Sequence, residues 1–189
     1  MKKIKKILVA NRGEIVLRVF RACAKLGIEA VSIYSEDDAY LPHAKLSGSV
    51  SLGFGNSLHE TYLNQEKIID IALKNGCDAI HPGYGFLSEK AEFAKKVEAN
   101  GLIFIGPNVR AIELMGDKIQ SKNFVESLNG PLIPGYHGAN QKAQELLNIA
   151  TQIGFPVLIK ASAGGGGKGM RIIWKDEELI PAWESATTE

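Results

Sequence analysis

No charge excess, no membrane-length apolar run and no cysteine pair at metal-binding spacing occur in these 189 residues. Twenty-two basic side chains face 21 acidic ones, a formal net charge of +1, which removes any whole-chain attraction to nucleic acid or to a membrane surface. The one basic cluster, Lys2, Lys3, Lys5 and Lys6, fits a solvated tail leading into a strand. The apolar stretch behind it is cut at Asn11-Arg12, too early for a secretory segment or a membrane span. These features predict a cytoplasmic protein whose partners include neither nucleic acid nor membrane. Cys23 and Cys77 stand apart without C-x-x-C spacing, the pattern of buried reduced thiols rather than of a disulfide or metal site.

Two nucleotide signatures are also missing. The first apolar run ends in "ANRGE", where a dinucleotide-binding fold needs G-x-G-x-x-G and only Gly13 is present. A P-loop fails further on, because Ser162 holds the first glycine position and Gly169 the place of the Ser or Thr that would meet magnesium.

What is present is an alternation of apolar runs and helical patterns. "KKILVA" predicts a buried strand, and "EIVLRVFRACAKLG" places Ile15, Val16, Val19, Phe20, Cys23 and Leu26 on one helical face closed by Gly27. "EAVSIYS" completes a βαβ unit, hence a parallel pair. "SVSLG", "DAIHPG" and "LIFIG" add three strands, with helices over "NQEKIIDIALKNG" and over "SEKAEFAKKVEANG", the latter capped by Ser88. The expected fold class is therefore α/β: a doubly wound parallel sheet over residues 1–115, whose ligands gather beyond the C-terminal ends of its strands.

Residues 116–189 begin a second unit. Helical sequence breaks at Gly116-Asp117, a Pro- and Gly-rich connector "PLIPGYHG" follows, and a further helix leads to two apolar runs, "FPVLIKA" and "MRIIW". The last segment has helical periodicity interrupted by Pro181. Between the apolar runs lie Gly164, Gly165, Gly166 and Gly167, then Lys168. Glycine loses the most backbone entropy on folding, so four together need a reason that a side chain would defeat. Bare amides can close over an anion. Lys160 ends the strand entering this loop and Lys168 sits within it, so two ammonium groups lie near the same oxygens; a triphosphate suits both. Lys118, behind the capping Asp117, is a third cation. "HPGYGFLSE" follows the fourth strand, and its turn should expose His81, Tyr84 and Glu89.

In order and spacing, "ANRGEI", "YLN", "DAIHPGYGFLSE", "FIGP", "LMGDK" and "GFPVLIKASAGGGGKGMRI" closely resemble the biotin carboxylase components of biotin-dependent carboxylases, members of the ATP-grasp superfamily. The resemblance implies that ATP and bicarbonate are used to carboxylate biotin on a carrier protein or domain, for an acyl-CoA carboxylase with a separate carboxyltransferase. It places Lys118, Lys160, Gly164 to Gly167, Lys168 and Met170 at the nucleotide, the glycines as a mobile lid. It sets Tyr84 and Gly85 on the biotin side, with His81 and Glu89 behind them. It also implies a homodimer at full length. Members of this family are more than twice as long, so the Mg2+ ligands and catalytic residues are expected outside this chain, which alone should be inactive. Asp176, Glu177, Glu178, Glu184 and Glu189 fit a solvated helix face rather than a metal site. A nucleotide-binding or subunit-interaction module without catalysis, and another ATP-grasp ligase, are the competing readings. Leu46-Ser47-Gly48-Ser49 and "SLNGPLIPGYHG" depart from the family pattern, away from the lysines and glycines.

Overall fold

A computed structural model describes residues 3–138, 140–160 and 170–187, and the chain divides into two compact units, Met1–Glu113 and Leu114–Glu189.

In the first unit, β1 (Lys6–Val9), β2 (Glu29–Tyr34), β3 (Val50–Ser51), β4 (Ala79–His81) and β5 (Ile103–Phe104) form a parallel sheet in the order β3-β2-β1-β4-β5. Side chains alternate across a strand, and the register makes the alternation coherent. Leu8 lies beside Val31 and Ile80, while Ile7 lies beside Ala30 and Ala79. On the Leu8 face, α2 (Gln65–Lys74) and α3 (Ala91–Ala99) contribute Ile68, Ile71, Ala72, Phe93, Ala94 and Val97. On the Ile7 face, α1 (Glu14–Leu26) contributes Val16, Val19 and Cys23. A sheet covered on both sides has no polar face, which is why β1 is a continuous apolar run.

Three details depart from expectation. Leu26 is 73 % exposed, because α1 ends there: Gly27 takes the left-handed conformation and its N–H bonds back to Ala24 O. Ser88 does not cap α3. Its N–H donates to Gly85 O and that of Lys90 to Leu87 O, so successive turns use up the chain before the helix begins at Ala91, behind Lys90. His81 is half-buried rather than exposed. Cys23 and Cys77 are free and buried.

In the second unit, α5 (Lys118–Ser127) follows α4 (Val109–Gly116), which spans the division between the units. After the connector come α6 (Ala143–Ile153), β6 (Val157–Ile159), β7 (Arg171–Ile173) and α7 (Leu179–Thr187), with β6 and β7 antiparallel. Ala150, Ile173 and Leu179 form the small core with Leu146, Leu147, Phe155, Val157, Ile159 and Ala182 around them. Pro181 does not interrupt α7. It is the third residue of the helix, where the N–H it lacks has no partner within the helix anyway.

Candidate functional site

The strand order reverses direction between β1 and β4, so the segments leaving these two strands meet at the C-terminal edge of the sheet, the position where open α/β sheets take ligands. Asn11 follows β1 and is 3 % exposed. Its Nδ2 donates to Pro82 O and to Tyr84 O, both at 2.8 Å, and its Oδ1 accepts from Arg12 N–H at 2.9 Å. Asn11 thus ties the segment leaving β1 to the turn leaving β4.

Within that turn the four residues picked out from sequence take different positions. His81 faces partly inward, its Nδ1 accepting from Gly83 N–H at 3.0 Å, and burial pushes its pKa down, so the ring is neutral with its proton on Nε2. Tyr84 stands 61 % exposed, and its hydroxyl donates to the Glu14 carboxylate, which raises the phenol's pKa. Gly85 and Glu89 are exposed. Phe86 carries the left-handed conformation (φ 45°) unusual for a bulky residue. Its ring stacks on Tyr62, centroids 5.5 Å apart and planes 3° from parallel, and the Arg12 guanidinium lies over both rings at 5.5 and 5.6 Å.

Behind this stack is a polar cluster. Tyr62 Oη donates to Asp38 at 2.7 Å and accepts from Ser35 N–H at 3.0 Å, while Arg12 reaches Asp38 at 3.2 Å. His43 is fully buried, with Nε2 at 3.4 Å from Tyr62 Oη. Burial alone would raise the Asp38 carboxyl, but the Tyr62 and Arg12 hydrogen bonds and the Arg12 charge outweigh it and leave its pKa below the usual value. Burial, with the Asp38 bond, pushes the Tyr62 phenol up to about 12, and burial pushes the Cys77 thiol up to about 11. Both groups stay protonated in the folded protein at a pH where the unfolded chain has released those protons. Their contribution to stability is complete below about pH 8.5 and is lost progressively as pH rises toward 12. Urea midpoints measured from pH 7 to 11 should fall on the alkaline side, and fall less in Tyr62→Phe; a flat profile would contradict these burial effects.

The residues expected at the nucleotide lie in the second unit. Asp117 caps α5, its Oδ1 accepting from Ile119 and Gln120 N–H at 2.8 Å each, and Lys118 is the first helical residue. Lys160 directly follows β6 and Met170 directly precedes β7. The register pairs Leu158 with Ile172 and Ile159 with Arg171, and strand alternation sets Leu158 and Lys160 on one side, Met170, Ile172 and Trp174 likewise. All five are exposed, whereas Val157, Ile159 and Ile173 face the helices. The open face is an apolar platform with an ammonium at its Ile159–Arg171 end. Such a face can take a planar base, with the cation toward an anionic tail. Leu158, Ile172 and Trp174 were missed from the sequence, although the period-2 pattern in the two runs flanking the glycines carried the signal. Gly164, Gly165, Gly166, Gly167 and Lys168 lie outside the described residues.

No metal-holding group of His, Cys, Asp and Glu occurs among the described residues. Glu178 accepts from Trp174 N–H at 2.9 Å and serves as a capping group for the turn that leads into α7. No helix among the described residues is long and apolar enough to cross a membrane.

Residues 3–112 match the family model "Biotin carboxylase, N-terminal domain". The chain belongs to the biotin carboxylase family. Residues 117–189 match "Carbamoyl-phosphate synthase L chain, ATP binding domain", the region that holds the glycine loop. Among curated relatives, the 2-oxoglutarate carboxylase small subunit of Hydrogenobacter thermophilus is 50% identical over 185 residues, covering 98% of this chain and 39% of the relative. The mitochondrial propionyl-CoA carboxylase alpha chain of Homo sapiens is 49% identical over 188 residues, covering 100% of this chain and 26% of the relative. The chain therefore spans well under half the length of these proteins. Solved biotin carboxylases share the fold. The Campylobacter jejuni enzyme in complex with β,γ-ATP superposes with TM-score 0.93 at 42% identity, covering 99% of this chain and 42% of that one. The biotin carboxylase domain dimer of Hydrogenobacter thermophilus 2-oxoglutarate carboxylase, with MgADP, ADP and bicarbonate, superposes with TM-score 0.91 at 48% identity, covering 100% of this chain and 41% of that one.

Proposed function

We propose that this chain is the N-terminal part of an ATP-dependent biotin carboxylase, which uses bicarbonate to carboxylate biotin on a carrier protein or domain. The observation that carries it is the open hairpin face of the second unit, where Lys160 and Met170 flank the glycine loop beside Leu158 and Ile172. The base of ATP rests on that face. Lys160, Lys168 and the amides of Gly164 to Gly167 meet the phosphates, and Lys118 adds charge from α5. This suits phosphoryl transfer, in which the protein chiefly positions phosphate groups and stabilises charge building on their oxygens. Mg2+ would be held by residues outside this chain and would neutralise charge on the phosphates.

On the biotin side, Tyr84 and Gly85 shape the pocket and Glu89 lies at its margin. His81 sets the turn through its Nδ1 rather than touching substrate. The full-length protein works in the cytoplasm and passes carboxybiotin to a carboxyltransferase; its dimeric state is supported by the domain dimer of the Hydrogenobacter thermophilus relative. The choice of final acceptor lies with that partner, which fits near-equal identity to 2-oxoglutarate and propionyl-CoA carboxylases.

The test is phosphate release from ATP by the full-length protein with bicarbonate, with and without free biotin. Release should depend on biotin and be absent from residues 1–189 alone. Biotin-independent release, or comparable turnover by the shorter chain, would overturn this reading.

A further inference from the structure

We infer that Asn11 is a positioning residue that holds the Pro82–Tyr84 turn in the one conformation able to present Tyr84 and Gly85 to the carboxyl acceptor. The inference rests on the biotin-side reading of those two residues.

The register places Val9 beside His81, so the chain two residues beyond Val9 runs against the turn that leaves β4. There a single buried carboxamide uses both its N–H groups on the carbonyls that straddle Gly83, those of Pro82 and Tyr84, each at 2.8 Å. The same side chain accepts from Arg12 N–H at 2.9 Å, so its orientation is fixed at both ends. Gly83 has φ +69°, and a Cβ there would come within 2.6 Å of Asn11 Nδ2; glycine and asparagine are fitted to each other. His81 Nδ1 holds the Gly83 N–H, Glu14 holds the Tyr84 hydroxyl, and the Arg12–Tyr62–Phe86 stack holds Phe86 in its left-handed conformation.

An uncommon backbone held by so many partners is the signature of a preorganised site. Asn11 is the member that no other side chain replaces. An aspartate of the same shape cannot donate when ionised and would turn a charged oxygen toward two carbonyls. A glutamine carries one more methylene into a space that Gly83 already fills.

The experiment uses the full-length protein with free biotin as acceptor, comparing wild type with Asn11→Ala, Asn11→Asp and Gly83→Ala. Removing two buried amide hydrogen bonds should raise KM for biotin at least about fivefold, with KM for ATP within about twofold of wild type. The Asn11→Asp activity, as a ratio to wild type, should recover in part as pH falls, because the protonated carboxyl regains one donor; Asn11→Ala should show no such recovery. An unchanged biotin KM in all three variants overturns the inference. So does an equal rise in the KM values for biotin and ATP, with a lowered thermal midpoint, since Asn11 would then serve only the fold. Absence of biotin-dependent phosphate release in wild type would overturn the functional reading instead.

Discussion

Lys160→Ala in the full-length protein should reduce biotin-dependent phosphate release by at least about a hundredfold, the scale on which single preorganised electrostatic contacts act in transfer chemistry. Lys160 is exposed at the end of β6 and belongs to no buried cluster. Surface substitutions of this kind usually shift stability by about 0.5 kcal/mol or less, so a large loss of activity with an unchanged thermal midpoint would isolate its role at the nucleotide. Lys160→Arg should recover only part of the rate, because a planar fork delivers its charge along different directions from a compact ammonium. Calorimetry with ADP on the same proteins separates binding from chemistry. Weakened affinity that matches the lost kcat/KM assigns Lys160 to ground-state binding; retained affinity assigns it to the transition state. Lys160→Ala with wild-type kcat/KM and ADP affinity would remove the hairpin face from the site.

The sheet was legible because buried parallel strands are short apolar runs, as the β1, β2, β4 and β5 segments showed, whereas "SVSLG" was marked only by Val50 and Leu52 alternating with serine. The order of strands was legible only as far as the first βαβ unit; the reversal between β1 and β4 came from tertiary pairing. Ser88 misled because a serine before a helical pattern is a cap only if the helix starts beside it, and the turns through Lys90 delayed that start. Pro181 misled because its cost depends on the position of the first helical turn, which the preceding turn at Asp176–Glu178 sets. At the site, lysines and glycines were visible as chemistry, whereas Asn11 was not. A lone asparagine after a strand has no local signature, and its partners lie more than 70 residues away. The same holds for Arg12, whose stacking on Tyr62 and Phe86 depends on three distant segments meeting.

Phe93→Ala should be the most damaging single change in the first unit, costing about 3–5 kcal/mol. Phe93 is fully buried on α3 and meets Phe104 of β5 edge-on, ring centroids 6.2 Å apart and planes at 85°. The loss has two parts: the transfer free energy of the ring, with the cavity it leaves, and the edge-to-face pairing, about 0.5–1.5 kcal/mol of its own. Because a domain of this kind is stable by only about 5–15 kcal/mol, the substitution should leave a measurable unfolded fraction. Phe93→Leu keeps most of the apolar area and should cost clearly less. Hydrogen exchange at the β5 amides in the full-length protein should read the effect, since α3 packs on that strand through Phe93 and Phe104. The consequence reaches the site through Leu87, which is buried in the same cluster and anchors the far end of the turn carrying Tyr84 and Gly85. Loosening α3 therefore weakens that anchor while Asn11 still grips the near end. Exchange at Gly83 should then rise less than at Leu87; an equal rise at both would mean that the turn depends on the helix behind it and not on the β1 segment.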